Sequence, residues 1–312
     1  MNNEEIQWIR QCLPKQISYP YYKDKFALDL LDFCFAEDTK VQDIKKSKFG
    51  GLLNKQAVKN VLSRCGNGKL NKDILHHNWE ENSSFFKLTL GEWGELAKRK
   101  SNRDFDQVSR PEKNLVLQVN FGSEHDTILF DKIGKENRNY FINYWHPINR
   151  RQSTMGWIRM DIDFQGNEIL IEEVQNDWLR DVIQLKKNLD CNKSCCENHW
   201  VKKRRKNFEA YYLFVKPYFK IWDEILLSAA LHFTKCELGI TQVWYHTNES
   251  SKHYKMMSDD CLPPRSIYKN LPEKFGFSSI KNKPSLIQNC SALKRLNRKG
   301  KDLLFYHLEL KK

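Results

Sequence analysis

Acidic and amide side chains follow a run of apolar residues in Gly166–Arg180, which has the sequence GNEILIEEVQNDWLR. The polar residues after this run are Glu172, Glu173, Gln175, Asn176 and Asp177. Carboxylates this close to one another can bind a divalent cation, or raise the pKa of one of them so that it acts as a general base. Because α/β sheets bind ligands at the ends of their strands, this stretch is the first candidate for a site.

The apolar run predicts the strand that positions these side chains. Its four apolar positions between 169 and 174 are typical of a strand that is covered on both faces. Trp157–Phe164 alternates apolar and polar residues and leads into it through a short turn, so the two segments predict an antiparallel hairpin. A helix is predicted to follow from Trp178 to Leu189.

The remaining segments place this hairpin in a sheet of the α/β (α+β) class. Asn114–Phe121 predicts a further strand, and Phe208–Leu238 predicts a long helix that Pro217 interrupts and Gly239 caps. Thr241–His246 predicts a strand parallel to the second hairpin arm, because a helix separates the two in sequence. Leu303–Leu310 predicts a closing strand.

Two regions of the chain differ in pattern. Residues 1–105 have apolar patches at helical spacing and predict a helical region, and the basic, polar residues 98–110 predict a boundary. Residues 106–312 predict a mixed, mostly antiparallel sheet flanked by helices, with a cysteine-containing and basic insertion at 190–206.

The acids of the hairpin also permit a metal-dependent nuclease. Asp163 on one arm and Glu173-x-Gln175 on the other resemble the pattern of the PD-(D/E)xK nucleases, in which the last residue is usually lysine. The alternative is structural, because Arg159 and Arg180 lie close enough in sequence to pair with these acids as salt bridges. His246, which follows the predicted parallel strand, can join Glu173 in either kind of site.

A cysteine cluster in the insertion has the residue types of a structural zinc site. Its four candidate ligands are Cys191, Cys195, Cys196 and His199. Thiolate and imidazole ligands bind Zn²⁺ tetrahedrally, and such a site would pin the insertion without taking part in catalysis. A polar loop that contains cysteine accounts for the same residues without a metal.

The charge balance favours a polyanionic partner. Lys and Arg total 52 against 39 for Asp and Glu, which gives a net charge of +13 and a pI of about 9.2. A basic run at Lys202–Lys206 lies beside aromatic residues, and a second lies between Lys294 and Lys301. Basic residues beside aromatic ones can bind phosphates and stack on bases, so nucleic acid is one candidate partner and a solvated basic face is the alternative.

The composition predicts a cytoplasmic protein without a membrane partner. Apolar residues make up 40% and charged residues 29%, as in globular proteins. The N-terminal residues contain acids and no uninterrupted apolar core, unlike a secretory signal, and no stretch is long and apolar enough to span a bilayer. Nine cysteines without such a signal predict free thiols in a reducing compartment.

From Asn114 to Leu310 the predicted order of elements resembles the GCN5-related N-acetyltransferases. That resemblance implies a glutamate at the strand end as general base, Glu172 or Glu173, and a tyrosine as general acid, Tyr254 or Tyr268. The family's glycine-containing pyrophosphate loop corresponds to residues 175–180 here, where there is no glycine. The resemblance therefore implies a relative with a changed or lost cofactor rather than a protein that binds acetyl-CoA.

A local resemblance is more specific. Trp157-x-Arg159 followed by Ile171–Trp178 is similar to the gWxR and EE(I/V)Q(S/N)DW signature of uncharacterised bacterial and bacteriophage proteins. Pro263–Phe277, PPRSIYKNLPEKFGF, is similar to a later segment of the same group. The resemblance implies that Glu173, Gln175, Asp177 and Trp178 act as one unit, and it implies no particular activity.

These observations favour an acyltransferase-like protein with its site at the end of the Glu168–Gln175 strand. Glu173 is the candidate base or ligand, with Glu172, Tyr254 and Tyr268 as further catalytic candidates. The candidate substrate contacts are Arg159, Gln175, Asn176, Asp177, Trp178, His246 and Asn248. A nucleic-acid-binding protein and a non-enzymatic interaction module are the alternatives.

Overall fold

The computed structural model describes residues 1–78, 80, 83–94, 107–110, 112–191, 199–255, 257, 264–288, 290, 293 and 302–311. In this part of the chain, eight strands form one sheet: β1 (Ile17–Tyr21), β2 (Ser84–Trp93), β3 (Asn114–Phe121), β4 (Thr154–Asp163), β5 (Glu168–Gln175), β6 (Gln242–His246), β7 (Ser278–Ile280) and β8 (Phe305–Glu309). Their order across the sheet is β1-β2-β3-β4-β5-β6-β8-β7.

The sheet is mixed and mostly antiparallel, as predicted. Strands β1 to β5 pair with their neighbours in antiparallel fashion, and β4 and β5 form the predicted hairpin. The parallel pair is β5 with β6, and β8 returns antiparallel between β6 and β7. The α/β class predicted from the sequence is confirmed.

The helices of the described residues lie between the strands in sequence. They are α1 (Asn3–Cys12), α2 (Lys25–Cys34), α3 (Val41–Lys46), α4 (Gln56–Leu62), α5 (Lys72–His76), α6 (Ser123–Lys132), α7 (Trp178–Asp190), α8 (His199–Lys203), α9 (Arg205–Val215), α10 (Trp222–His232), α11 (Asn248–Tyr254) and α12 (Leu271–Lys274). Single 3₁₀ turns form at Gly50–Asn54, Lys135–Phe141, Lys216–Lys220 and Ser285–Ile287, and π turns form at Phe233–Glu237 and Ser266–Asn270.

The long helix predicted over residues 208–238 is interrupted where proline was expected to disturb it. α9 ends at Val215, a 3₁₀ turn contains Pro217, and α10 begins at Trp222. Proline has no amide hydrogen for the helical ladder, which explains the break. The segment ends at Gly239, whose φ of +68° is the left-handed conformation expected just after a helix C-terminus.

The N-terminal region contains two strands that the prediction of a helical region over residues 1–105 did not include. β1 and β2 continue the sheet on the outer side of β3, so this region shares a sheet with residues 106–312. The boundary itself stays a prediction, because residues 95–106 lie outside the described residues.

Both faces of the hairpin are covered, as the apolar run predicted. Ile169 and Ile171 of β5 lie in the large core, whereas Leu170 lies in a second, smaller core on the other face. Alternate side chains of a strand point to opposite faces, so a strand between two layers is apolar at successive positions. On the large-core side, α10 packs against β3, β4 and β5.

Candidate functional site

β5 has one residue more than its partner strand at Glu172. Arg159 of β4 faces Glu173, and the next residue, Met160, faces Ile171. Such a bulge bends a strand and changes the direction of its side chains. The two adjacent glutamates consequently have different surroundings, since the side chain of Glu172 is fully buried and that of Glu173 is 21% exposed.

A cavity opens where β5 continues beyond its parallel partner. Pairing between β5 and β6 ends at Ile171 and Tyr245, whereas β5 runs on to Gln175. A space of about 450 Å³ lies beside this end of β5, bounded by α7, by the break between α9 and α10, by Lys255 and Met257, and by residues 264–268. Its charged lining residues are Glu173, Arg180, Lys187 and Lys255. The cavity suits an extended, partly apolar ligand that carries negative charge.

Glu173 is held at the cavity wall by a buried arginine. The guanidinium of Arg159, which is 1% exposed, donates to the carboxylate of Glu173 and, over 3.1 Å, to the carbonyl oxygen of Gln107. It also lies 5.4 Å from the centre of the Trp93 ring. The salt bridge predicted as the structural alternative therefore exists, and it leaves one edge of the carboxylate at the cavity.

Glu172 has a structural environment. Its carboxylate accepts hydrogen bonds from the amide of Ser109 over 3.2 Å and the hydroxyl of Ser109 over 3.0 Å. His246 Nε2 lies 3.3 Å and Lys255 Nζ lies 3.4 Å from the same carboxylate. Burial acts to raise the pKa of Glu172, but the neighbouring Lys255, His246 and Arg159 outweigh it and hold that pKa well below its usual range. Glu172 is thus an inaccessible carboxylate whose surroundings favour its ionised form.

Two side chains reach from the other wall of the cavity to the bulge. The ammonium group of Lys255 and the hydroxyl of Tyr268 both donate to the backbone carbonyl of Glu172, the hydroxyl over 3.0 Å. Burial lowers the pKa of Lys255 and raises the pKa of Tyr268. Sequence reasoning missed Lys255, because one lysine directly after a short helix has no distinguishing spacing among 52 basic residues.

The strand-to-helix junction contributes two of its predicted residues to the cavity. Gln175 and Asn176 line it. The side-chain oxygen of Asn176 accepts a hydrogen bond from the amide of Leu179 over 2.9 Å, which caps the first turn of α7. Asn176 is 7% exposed, and its Nδ2 has no hydrogen-bond partner among the described residues.

Asp177 and Trp178 serve the packing of the junction rather than the cavity. Asp177 is 3% exposed, and its carboxylate accepts from His146, Trp157 and Arg180. Trp178 is buried, donates to the hydroxyl of Tyr211 over 2.7 Å and lies outside the cavity lining. Of the four residues in the signature, Glu173 and Gln175 line the cavity, whereas Asp177 and Trp178 do not.

Three further candidates lie away from the cavity. Tyr254 is 2% exposed and packs against Phe305 in the smaller core. His246 is completely buried between Glu172 and Ser250, and burial lowers its pKa. Asn248 is the first residue of α11 and is likewise not part of the cavity wall. Of the two candidate tyrosines, Tyr268 is therefore the one at the cavity.

The structure does not assemble the nuclease pattern. Asp163 pairs with Glu168 beside the hairpin turn and accepts hydrogen bonds from the amides of Gln165 and Gly166. It is four positions along β4 from Arg159, the partner of Glu173, which corresponds to ~13 Å at 3.3 Å a residue. Asp163 and Glu173 consequently cannot share one cation, which removes the pairing on which that interpretation depended.

The proposed zinc ligands lie almost entirely outside the described residues. Cys191 is exposed, whereas Cys195, Cys196 and the side chain of His199 are not described. Within the described ranges, no three His, Cys, Asp or Glu side chains are arranged to hold a metal ion. The zinc site stays a prediction.

The basic run at Lys202–Lys206 is on the surface. Its five side chains are exposed, and two of them are paired, Arg204 with Glu136 and Arg205 with Glu209. The second run, between residues 294 and 301, lies outside the described residues.

The junction does not form a cradle for a pyrophosphate. Asn176 occupies the amide of Leu179 at the start of α7, and the carboxylate of Asp177 stands just before it. A phosphate at a helix N-terminus needs free amides and no neighbouring negative charge. These residues therefore fit the nucleotide end of acetyl-CoA poorly.

Comparisons of the chain with protein-family models, with curated proteins and with solved structures returned no match. None of the helices in the described part of the chain combines the length and apolar character needed to cross a bilayer. The fold defines a protein of the α/β class with a cavity at the carboxyl end of β5.

Proposed function

We propose that this chain is an acyltransferase-like enzyme whose substrates meet in the cavity at the end of β5. One observation carries the proposal. The accessible edge of the Glu173 carboxylate and the Tyr268 side chain line the same cavity, beside a strand edge that β6 leaves uncovered. The order of a hairpin, a helical crossover and a parallel strand supports the same class, since it is the order that the resemblance to the acetyltransferases implies.

The cavity contains the proton acceptor and the proton donor that acyl transfer to an amine requires. Glu173 accepts a proton from the acceptor amine as its nitrogen attacks the acyl carbon of a thioester. The bond from that carbon to sulfur then breaks, and the Tyr268 hydroxyl donates a proton to the leaving sulfur. The products are an amide and a thiol, and solvent carries the proton from Glu173 back to Tyr268. Each transfer needs a group within hydrogen-bond reach of the reacting atoms, which a shared cavity provides.

The uncovered edge of β5 supports binding of an extended acyl donor. Backbone groups of a strand that lacks a partner can form hydrogen bonds with an extended ligand, as they do with an added strand. Arg180 and Lys187 add positive charge on the α7 side of the cavity. We propose a thioester with an amide-containing arm as the acyl donor. Because the junction fits a pyrophosphate poorly, a nucleotide attached to this arm would contribute little to the binding affinity of the donor.

Thiol release tests this proposal. Acetyl-CoA and S-acetyl-pantetheine are supplied as alternative donors with spermidine or a lysine-containing peptide as acceptor. We expect turnover of both donors with similar kcat/KM, because the junction at residues 175–180 fits the pyrophosphate of the nucleotide poorly.

A matched variant shows whether the released thiol comes from this protein or from a contaminating enzyme. Glu173→Gln should lower kcat by about 100-fold or more, which is the usual contribution of a general base. If neither donor reacts with any acceptor, or if the variant is as active as the wild type, the proposal fails and the interaction module becomes the better interpretation.

A further inference from the structure

An ordered loop on the surface presents aromatic rings to solvent. Trp145 is 86% exposed and the neighbouring Tyr144 is 57% exposed. Both lie between the 3₁₀ turn at Lys135–Phe141 and β4. Two adjacent exposed aromatic rings form an apolar patch, and exposed patches of this kind are where partners bind.

Several hydrogen bonds hold the backbone of this loop in place. The amide of Trp145 donates to the side-chain oxygen of Asn143 over 3.1 Å. His146 Nδ1 lies 2.7 Å from the carboxylate of Asp177, and the carbonyl of Pro147 accepts from Gln118 over 2.8 Å. The exposure of the Trp145 ring is thus fixed by the fold around it and is not a consequence of a loose chain end.

The segment that carries these rings has an excess of positive charge. The segment from residue 135 to residue 152 has four cations, Lys135, Arg138, Arg150 and Arg151, and one acid, Glu136. That acid lies 3.3 Å from Arg204. The guanidinium of Arg150 lies 5.5 Å from the centre of the Tyr144 ring.

A basic groove continues from this loop toward α1. It has a volume of about 530 Å³, and its charged lining residues are Arg10, Lys15 and Arg151. No acidic side chain is among the described residues that line it. The phosphates of a nucleic acid in this groove would contact Arg151 at the loop and Arg10 and Lys15 near α1. The exposed rings of Tyr144 and Trp145 belong to the same loop as Arg151.

We propose that this surface, formed by Tyr144, Trp145, Arg150, Arg151 and the groove to Arg10 and Lys15, binds single-stranded nucleic acid. Cations alone would serve any polyanion, and exposed aromatic faces add affinity for bases that are free to stack. Bases in a duplex are already stacked on one another, so the rings favour a single strand. The proposal does not depend on acyl transfer, since none of these residues lines the cavity at β5.

Fluorescence anisotropy of a labelled single-stranded oligonucleotide of about 12 nucleotides tests the proposal, because one binding site of this kind covers ~4–16 nucleotides. Trp145→Ala should weaken binding by about tenfold, the effect of losing one stacked base. Trp8→Ala is the matched control, because Trp8 is also exposed, at 58%, but packs against Phe164 beside the hairpin turn. The control should bind as the wild type does.

The salt dependence tests the charged part of the surface. Arg150→Gln combined with Arg151→Gln should lower the slope of log K against log salt by about 1.4, because each phosphate contact on a single strand contributes about 0.7. Lys202→Gln combined with Lys203→Gln removes the same charge from α8 and should leave the slope unchanged. All four side chains are exposed, so the folds of these variants are expected to be intact.

The proposal is wrong if the wild-type protein does not bind the oligonucleotide at about 50 mM salt. It is also wrong if the wild type and Trp145→Ala bind equally well, or if a duplex of the same length binds more tightly than the single strand. Loss of binding only in the Lys202 and Lys203 variant would move the interaction to the basic run on α8. Each of these results can occur whether or not the protein transfers acyl groups, so failure here is distinguishable from failure of the enzymatic proposal.

Discussion

Replacing Glu172 and Glu173 by glutamine, one at a time, should separate a carboxylate that stabilises the fold from one that takes part in chemistry. The two residues are adjacent, and the substitution is the same. Their surroundings differ, because the Glu172 side chain is fully buried whereas 21% of the Glu173 side chain is exposed.

Glu172→Gln should lower the free energy of unfolding by ~3–5 kcal/mol, the cost of leaving a buried charge without its partner. The charge that loses its partner is Lys255, whose ammonium lies 3.4 Å from the carboxylate and whose side chain is 1% exposed. Glutamine can still accept from Ser109, but it brings an amide NH₂ group toward the donors of Lys255 and His246. A loss of this size is a large fraction of the ~5–15 kcal/mol that stabilises a typical domain.

Glu173→Gln should cost less, ~1–3 kcal/mol, because the Glu173 side chain is 21% exposed and the amide oxygen of glutamine can still accept from the buried Arg159. Activity should be lost nonetheless, since glutamine cannot take up a proton. Urea unfolding gives the two free energies, and thiol release gives the activity of each variant. Equal losses of stability, or an inactive Glu172→Gln protein of wild-type stability, would refute this assignment of roles.

Three further predictions concern single residues. Tyr268→Phe should lower kcat by tenfold or more. Tyr254→Phe should leave both kcat and thermal stability nearly unchanged, because the Tyr254 hydroxyl has no hydrogen-bond partner among the described residues. A larger loss of kcat in Tyr254→Phe than in Tyr268→Phe would instead assign the role of proton donor to Tyr254. Burial lowers the pKa of His125, so the unfolded chain takes up a proton below about pH 6.5 that the folded protein resists. The free energy of unfolding should therefore fall between pH 7 and pH 5, and His125→Phe should reduce that fall; an unchanged pH profile would contradict the assignment. Gly156→Ala should lower the free energy of unfolding, measured in urea, by ~1–3 kcal/mol. The reason is that the added Cβ would lie 2.7 Å from a carbonyl oxygen of β5. An unchanged free energy would show that the hairpin can shift to accommodate the methyl group.

The hairpin and its crossover could be predicted because their side chains reveal their surroundings. Ile169, Leu170 and Ile171 are apolar at successive positions since both faces of β5 are covered. The helix after Trp178 and the parallel strand at Gln242–His246 followed from helical spacing and from the need for a crossover connection. These are local patterns that tertiary packing reinforces.

Other parts of the fold have no local pattern of that kind. β1 has only five residues and contains Pro20, which is tolerated because β1 lies at the edge of the sheet. The bulge at Glu172 depends on the register between two strands, and sequence spacing does not fix that register. It was the bulge that gave Glu172 and Glu173 different roles, so the sequence alone could not choose between them.

The structure brings only some of the predicted site residues to one cavity. Glu173, Gln175 and Asn176 line it. Trp178 and Tyr254 are apolar rings that packing draws into the two cores, and nothing in their sequence positions distinguishes a ring in a core from a ring in a cavity. The sequence did not reveal the exposure of Trp145 either, because the neighbouring residues His146 and Pro147 hold its loop through contacts with residues distant in sequence.

The carboxylate of Asp177 has a consequence for how this protein can change. It accepts from His146 and Trp157 as well as from Arg180, so one anion satisfies donors from three segments of the chain. Replacing it leaves the buried Trp157 and the partly buried His146 without this acceptor at once. A later change at either of them would then cost less than it does in the original background. Substitutions at these four positions should therefore show strong epistasis, and evolution is expected to alter them together or not at all.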